Sequence, residues 1–223
     1  MDVAIVRRIP FTDLESKLKQ VELLKPDSEG NKIYPYKDSE IIFRQAHPDS
    51  LVPTTLYLLN ENLTVQKELR EVMLTKFGID SLQLDAAYTL DFIQGSENQR
   101  ITILPPIVEN QPESVSYDKH SPDDLPYVRS KHIIMPYLND GAHRIWLSKE
   151  LGINPVIADI NNVHPKYPLY AHGNSWDDVK LMDEVPSPDQ KKLYRRKGDR
   201  LYQLYRNFDS VFEGCSKPRT KVE

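Results

Sequence analysis

The chain has 223 residues and a formal net charge of −4, since 29 lysines and arginines face 33 aspartates and glutamates. This balance disfavours a basic protein that coats nucleic acid, and a single cysteine, Cys215, excludes disulfides and cysteine-rich zinc sites within the chain. No stretch approaches the roughly 18 apolar residues of a membrane span, and the first residues lack the apolar core of a signal peptide. We therefore expect a cytoplasmic chain that folds as one domain over residues 1–223.

The first third of the chain predicts two helices. Apolar residues recur at helical spacing over 12–24 and again over 64–77, where Gly78 follows as a stop signal. The run 86–93 fits a helix or a strand equally well.

The middle of the chain is less regular. Residues 95–98 predict a turn, and the β-branched run 101–109 predicts a strand. The polar, aperiodic segment 110–130 is interpreted as an exposed loop or insertion.

The strongest pattern lies between residues 132 and 160. The apolar run 132–138 predicts a strand, 139–144 a tight polar turn, and 145–151 a helix that Gly152 ends. The run 153–160 predicts a second buried strand. This order is typical of a βαβ unit.

Prolines punctuate the chain after residue 160. We interpret residues 167–176 as a proline-stiffened loop with Trp176 in the core, and the alternative is a wall that covers a ligand. The stretch 191–212 predicts a basic, tyrosine-rich helix that docks through an apolar stripe and keeps its basic side, Arg206 included, in water.

The turn at 139–144 has the chemistry of an anion site. A strand that ends at Asp140-Gly141 and turns directly into a helix presents unpaired N–H groups of the first helical residues to a ligand. Arg144 can fork onto phosphate oxygens, and His143 can donate a hydrogen bond or transfer a proton. Asp140 suits a helix cap, a partner for His143 or Arg144, or a ligand of a metal ion that bridges phosphates.

The segments LPPIVE, DGAHRIWLSKELG and INPVIADI together resemble the ParB/sulfiredoxin-like superfamily over residues 104–160. The resemblance implies an α/β (α+β) core with a mixed sheet over about 55–160. Around it we expect an N-terminal extension, 1–54, and a C-terminal helical extension, 161–223.

The turn discriminates among the members of that superfamily. Sulfiredoxins have a catalytic cysteine where this chain has Ala142, and chromosome-partitioning ParB proteins agree only at Gly141 and Arg144. Kinase-type members have Asp-Gly-His-His-Arg, which differs from this chain only at Ala142. The closest resemblance is therefore to ParB-like small-molecule kinases such as the free-serine kinases.

That resemblance implies phosphoryl transfer from a nucleoside di- or triphosphate (ATP, ADP or CTP unresolved) with Mg²⁺ to a small hydroxylated substrate. Gly141, Ala142, His143 and Arg144 would hold the nucleotide, and Asp140 would bind the metal and take part in catalysis with His143. Glu61 would act as the base. Glu61 also fits a solvated helix entry with Thr64 as N-cap.

Two other functions remain open at this stage. One is a DNA-binding or nuclease domain that acts through Lys191, Lys192, Arg195, Arg196, Lys197, Arg200 and Arg206. The other is a nucleotide sensor without turnover. A turn blocked by side chains, with Arg144 held in a purely internal bond, would contradict the phosphate site.

Overall fold

The computed structural model describes residues 2–94, 97–119, 127–187 and 204–215. The α-helices within these residues are Phe11–Leu18 (α1), Asn60–Phe77 (α2) and Ala142–Leu151 (α3). The strands are Asp2–Pro10 (β1), Glu22–Leu23 (β2), Glu40–Gln45 (β3), Val52–Pro53 (β4), Tyr57–Leu59 (β5), Ala86–Gln94 (β6), Glu97–Ile103 (β7), Ile107–Lys119 (β8), Tyr127–Asp140 (β9), Val156–Asn161 (β10), Lys180–Met182 (β11) and Arg206–Asn207 (β12).

A five-stranded mixed sheet carries the site, in the order β3-β10-β8-β9-β4. Strand β10 runs parallel to β8, β8 runs antiparallel to β9, and β4 runs parallel to β9. A second sheet, β1-β6-β7, is antiparallel throughout. The predicted combination of helices with a mixed sheet is confirmed.

The strand–helix–strand order β9, α3, β10 is confirmed, but the two strands are not parallel neighbours. Strand β8 lies between them and pairs parallel with β10 and antiparallel with β9. The interpretation as a βαβ unit is therefore wrong, because α3 joins strands that run in opposite directions.

The predicted loop at 110–130 is also wrong. Strands β8 and β9 stay paired from Ile107 and Asp140 out to Lys119 and Tyr127, and residues 120–126 lie outside the described part. Strand β10 pairs with β8 only at residues 107–109. Beyond these residues the described ladder joins β8 to β9 through backbone hydrogen bonds, which a polar sequence without apolar alternation does not reveal.

Several element boundaries differ from the predictions. Helix α1 ends at Leu18 rather than at residue 24, because Glu22 and Leu23 pair with β12. Helix α2 begins at Asn60, so Thr64 lies inside it and donates to the carbonyl of Asn60. Gly78 ends α2 with a φ of 67°, as predicted.

The remaining expectations on strands are mostly met. The run 86–93 lies in β6, and the run 101–109 is split between β7 and β8 by Pro105 and Pro106. Prolines cannot donate to the ladder, so the split falls there. Of the predicted turn at 95–98, residues 95–96 lie outside the described part.

The predicted C-terminal helix is wrong where it is described. Residues 204–212 contain β12 and a 3-10 turn, Phe208–Ser210, while residues 191–203 lie outside the described part. Phe208 and Phe212 pack in a core cluster with α1. Trp176 is buried as expected, and its indole N–H donates to the carbonyls of Pro48 and Leu51.

Among the described helices, none combines the length and the apolar character that crossing a membrane requires.

Candidate functional site

The turn from β9 into α3 is tight because of one glycine. Gly141 has a φ of 91°, a conformation that side chains with a Cβ rarely adopt. A Cβ at this position would stand 2.8 Å from the Cβ of Pro106. Gly141 therefore lets the turn pack on Pro106 and lets α3 begin at Ala142.

A cavity of about 440 Å³ opens at this turn. Its wall includes the residues of the predicted site, Asp140, Gly141, Ala142, His143 and Arg144. The rest of the wall comes from distant parts of the chain: Thr54, Thr55, Tyr57, Leu58, Leu59, Asn62, Gln66, Leu69, Ile101, Thr102, Ile103, Leu104, Leu138, Asn139, Tyr170, Tyr205, Gly214 and Cys215.

His143 joins the starts of two helices. Its Nε2 accepts a hydrogen bond of 3.2 Å from the backbone N–H of Leu59, the residue before α2. Burial, together with the charge of Arg144, lowers the pKa of His143 from 6.5 to about 4. The imidazole is therefore neutral near pH 7, and Nδ1 carries its hydrogen.

Arg144 is buried, with 7% of its surface exposed, and its contacts are internal. Its Nη1 donates to the carbonyl of Leu104, and its Nη2 lies 3.6 Å from Oδ2 of Asp140. Desolvation raises the pKa of Asp140 above its usual range, although Arg144 opposes this shift. A phosphate site would be contradicted by a turn blocked by side chains together with an Arg144 held in an internal bond. The internal bond is present, but the turn is not blocked, because its residues line the cavity.

The end of the described chain closes one side of the cavity. Gly214 packs on β7, where an added Cβ would overlap the carbonyl oxygen of Arg100, and the backbone N–H of Thr102 donates to the carbonyl of Glu213. Cys215 follows as a lining residue. Burial and the nearby carboxylate of Asp140 raise the pKa of the Cys215 thiol well above its usual value, so it is protonated rather than reactive.

A buried ionic network lies directly behind the cavity. Glu109 and Arg206 form a fully buried pair, with Arg206 Nη2 2.8 Å from Glu109 Oε2 and Nε 3.0 Å from Oε1. The hydroxyl of Tyr36 donates to Glu109 at 2.5 Å, and the amide of Gln111 donates at 2.8 Å. Asn139, which lines the cavity, donates to both Glu109 and Tyr36.

Glu61 lies apart from the other predicted site residues. It is exposed in the first turn of α2 and is not one of the described residues that line the cavity. Its neighbours Asn62 and Gln66 do line the cavity, because they lie on the face of α2 that borders it. The structure thus brings Asp140, Gly141, Ala142, His143 and Arg144 together without Glu61.

Sequence reasoning missed most of the cavity wall. Asn139 directly precedes the recognised turn, and that adjacency is a usable signal. Tyr170 lies in the loop 167–176, for which a wall over a ligand was the alternative interpretation. Tyr205 and Cys215 lie more than 60 residues beyond the turn, and no local pattern marks them as lining residues.

The donor set limits what metal the site could hold. Within the described residues there is no group of three or more histidine, cysteine, aspartate or glutamate side chains suited to a metal ion. Asp140 is the one carboxylate among the described lining residues. A single carboxylate fits Mg²⁺, which protein sites often bind through one or two carboxylates together with phosphate oxygens and water.

Comparison with known proteins identifies the family. Residues 13–180, well over half of the chain, match the family model of the ParB CE domain. Searches among curated proteins and among solved structures found no match. The mixed sheet and the open turn at the start of α3 thus belong to a ParB-like fold, and the chain is a member of the ParB CE domain family.

Proposed function

We propose that the cavity binds a nucleoside di- or triphosphate and that the protein transfers a phosphoryl group from it to a small hydroxylated substrate. The observation that carries this proposal is that the first residues of α3, Ala142 and His143, form part of the cavity wall. Their N–H groups have no carbonyl one turn earlier to bond, and the helix dipole adds positive potential at the same place.

Charge at the site comes from the backbone rather than from a free cation. The opposite charges of Asp140 and Arg144 offset each other, and His143 is neutral near pH 7. Arg144 is engaged with the carbonyl of Leu104, so the amides and the neutral Nδ1–H of His143 are the groups that would meet the phosphates.

The size and the lining of the cavity favour a nucleotide over inorganic phosphate. Its volume of about 440 Å³ lies within the range of small-molecule sites. Tyr170 and Tyr205 meet edge to face in its wall, with ring centroids 5.3 Å apart. Aromatic rings of this kind offer a flat surface to a base.

Catalysis in this proposal consists of positioning, charge stabilisation and the removal of one proton. Asp140 takes the role that the sequence assigned to Glu61, because Asp140 lines the cavity and Glu61 does not. Its raised pKa brings the carboxylate closer to the proton affinity that a general base needs near neutral pH. Mg²⁺ would be held by phosphate oxygens and water and would neutralise charge in the transition state, which leaves Asp140 free to accept the proton.

The DNA-binding alternative included Arg206 among the basic residues that would contact DNA. Arg206 is fully buried against Glu109, so it offers no charge to a phosphate backbone. The other basic residues of that stretch, 191–200, lie outside the described part.

Thermal melting tests nucleotide binding. ATP, ADP, CTP and GTP with Mg²⁺ are compared, and the one that binds should stabilise the protein by about 2.7 kcal/mol at a hundredfold excess over its Kd. Ala142→Asp puts a carboxylate beside the α3 amides and should abolish this shift, because the added charge repels phosphate. Thr12→Asp, in the first turn of α1 and away from the cavity, should retain it. A protein that none of the four nucleotides stabilises would not be a nucleotide-binding protein.

Turnover needs its own measurement. Incubation of the binding nucleotide with pooled small alcohols, followed by mass spectrometry, should detect a phosphorylated product. Asp140→Asn should abolish the product while the melting shift persists. Binding without any product, from the unaltered protein, would instead favour the nucleotide sensor.

A further inference from the structure

Asn139 occupies an irregular position at the edge of the cavity. In the β8–β9 ladder, Ile107 pairs with Asp140 and Val108 with Leu138, so Asn139 is an extra residue that forms a β-bulge. A bulge breaks the alternation of the strand and re-aims the side chain it carries. Asn139 therefore lies in the cavity wall while its amide reaches the network behind it.

The amide of Asn139 is held in one orientation. Nδ2 donates at 2.5 Å to Oε1 of Glu109 and at 3.0 Å to the hydroxyl oxygen of Tyr36, so two acceptors face the nitrogen end of the amide. A flipped amide would place Oδ1 against the carboxylate of Glu109, and two acceptors would then face each other. The network therefore fixes which end of the amide is presented to the cavity.

Glu109 is itself held firmly. Both of its oxygens are bonded to the guanidinium of Arg206, and the pair is inaccessible to solvent. Glu109 and Arg206 are thus positioning residues for Asn139. The remaining acceptor, Oδ1 of Asn139, accepts no hydrogen bond from the described residues, and Asn139 lines the cavity.

We propose that Oδ1 of Asn139 accepts a hydrogen bond from a ribose hydroxyl of the bound nucleotide, so that this residue selects nucleotides that carry an intact sugar. The inference rests on the proposed nucleotide site. Asn139 precedes the phosphate-binding amide of Ala142 by three residues, a separation of at most about 10 Å along the chain. This distance suits the sugar, which lies between the phosphates and the base.

Calorimetric titration with paired probes tests the inference. The probes are the ribonucleoside triphosphate that binds best among ATP, CTP and GTP, its 2′,3′-dideoxy form, and inorganic tripolyphosphate. The unaltered protein should bind the ribonucleotide about tenfold more tightly than the dideoxy form, because a site that hydrogen-bonds a hydroxyl disfavours the analogue that lacks it.

Variants assign the discrimination to Asn139. Asn139→Ala should bind both nucleotides equally, at the weaker affinity, and should bind tripolyphosphate as the unaltered protein does. Tyr36→Phe removes one of the two acceptors that orient the amide and should reduce the discrimination without removing Asn139. Asn110→Ala is the matched control, because Asn110 also donates to a carboxylate, that of Asp159, but does not line the cavity; it should keep the tenfold ratio.

The outcomes separate the two proposals. Equal binding of both nucleotides to the unaltered protein, or discrimination that persists in Asn139→Ala, overturns the role of Asn139 and leaves the nucleotide site standing. If none of the three probes binds, both proposals fall.

Discussion

His143, in the first turn of α3, accepts a backbone hydrogen bond that only its neutral imidazole can accept. Nε2 of His143 accepts from the N–H of Leu59, and this bond connects the chain just before α2 to the first turn of α3. Protonation of Nε2 would replace an acceptor by a donor and break the bond. His143 thus contributes to the geometry of the cavity as well as to its lining.

This arrangement predicts that stability falls in acid. The pKa of His143 is about 4 in the folded protein and 6.5 when unperturbed, so the unfolded chain takes up a proton that the folded chain does not. The stabilisation is complete above pH 6.5 and is lost as the pH falls towards 4, by at most about 3 kcal/mol. Urea unfolding measured at several pH values should show this slope.

The variant His143→Gln should flatten the slope, because the glutamine oxygen can accept from Leu59 but does not titrate in this range. His172→Gln, at an exposed histidine, serves as the control and should keep the slope. Identical slopes for His143→Gln and the unaltered protein would contradict the role of the histidine.

At the turn, the sequence located the strand end and the glycine, but α3 begins at Ala142, three residues before the predicted start of the helix at residue 145. Consecutive residues such as Asp140 and Gly141 indicate a strand end and a helix start together, so a local pattern suffices to find the turn. The internal bond of Arg144 depends on the carbonyl of Leu104, 40 residues earlier, and local sequence does not show that partner. Glu61 matched a motif position but lies on the exposed side of its helix.

At the scale of elements, the start of α3 depends on Gly141. This glycine and Gly152, which follows the end of α3, both have positive φ angles, of 91° and 64°. Gly152 has nothing within 4 Å of an added Cβ, whereas Gly141 would meet Pro106 at 2.8 Å. Comparison of Gly152 with Gly141 therefore separates the energetic cost of backbone strain from the cost of steric overlap.

Alanine at each position should show this difference in thermal melting. Gly152→Ala is expected to cost about 1 kcal/mol from the left-handed conformation alone. Gly141→Ala should cost about 2 kcal/mol more, because the turn must also move away from Pro106. Equal losses in the two variants would mean that the turn can relax without cost.

Elements were predictable where burial is one-sided and local. The helical spacing in α2 reflects the burial of Leu63, Leu69 and Met73, and the end of the apolar run in β9 reflects the burial of Tyr137 and Leu138. The outer part of the β8–β9 ribbon shows no such pattern in the sequence, because there the two strands pair with each other and not with β10. The C-terminal stretch was misread because Phe208 and Phe212 have helical spacing but enter the core from a 3-10 turn.

At the scale of the molecule, one ion pair attaches the C-terminal segment 204–215 to the main sheet. Arg206 is bonded to Glu109 and to the carbonyls of Tyr167, Pro168 and Leu204. Every one of these partners except Leu204 is far away in the sequence. A basic residue inside a basic stretch gives no sequence signal for such burial.

Removal of one charge of the Glu109–Arg206 pair should lower the stability of the fold far more than removal of both charges. Arg206→Met leaves the charge of Glu109 buried without a cation, and we expect a loss of about 3–5 kcal/mol in urea unfolding. Glu109→Gln with Arg206→Met should recover much of this loss.

Arg100→Met provides the control, because it breaks an ion pair with Asp91 that is exposed at the surface. Its effect should be far smaller. A single variant Arg206→Met as stable as the control would show that the buried pair contributes little to attachment of the segment.

The late position of Arg206 also matters during synthesis. A ribosome makes Glu109, the whole mixed sheet and both cavity helices before it reaches this arginine. Until then the nascent chain contains an uncompensated acid in its interior and lacks the wall formed by Tyr205, Gly214 and Cys215. The cavity described above is therefore complete only after translation has passed residue 215, and a chain that stops short of Arg206 would lack both the cation that pairs with Glu109 and this part of the wall.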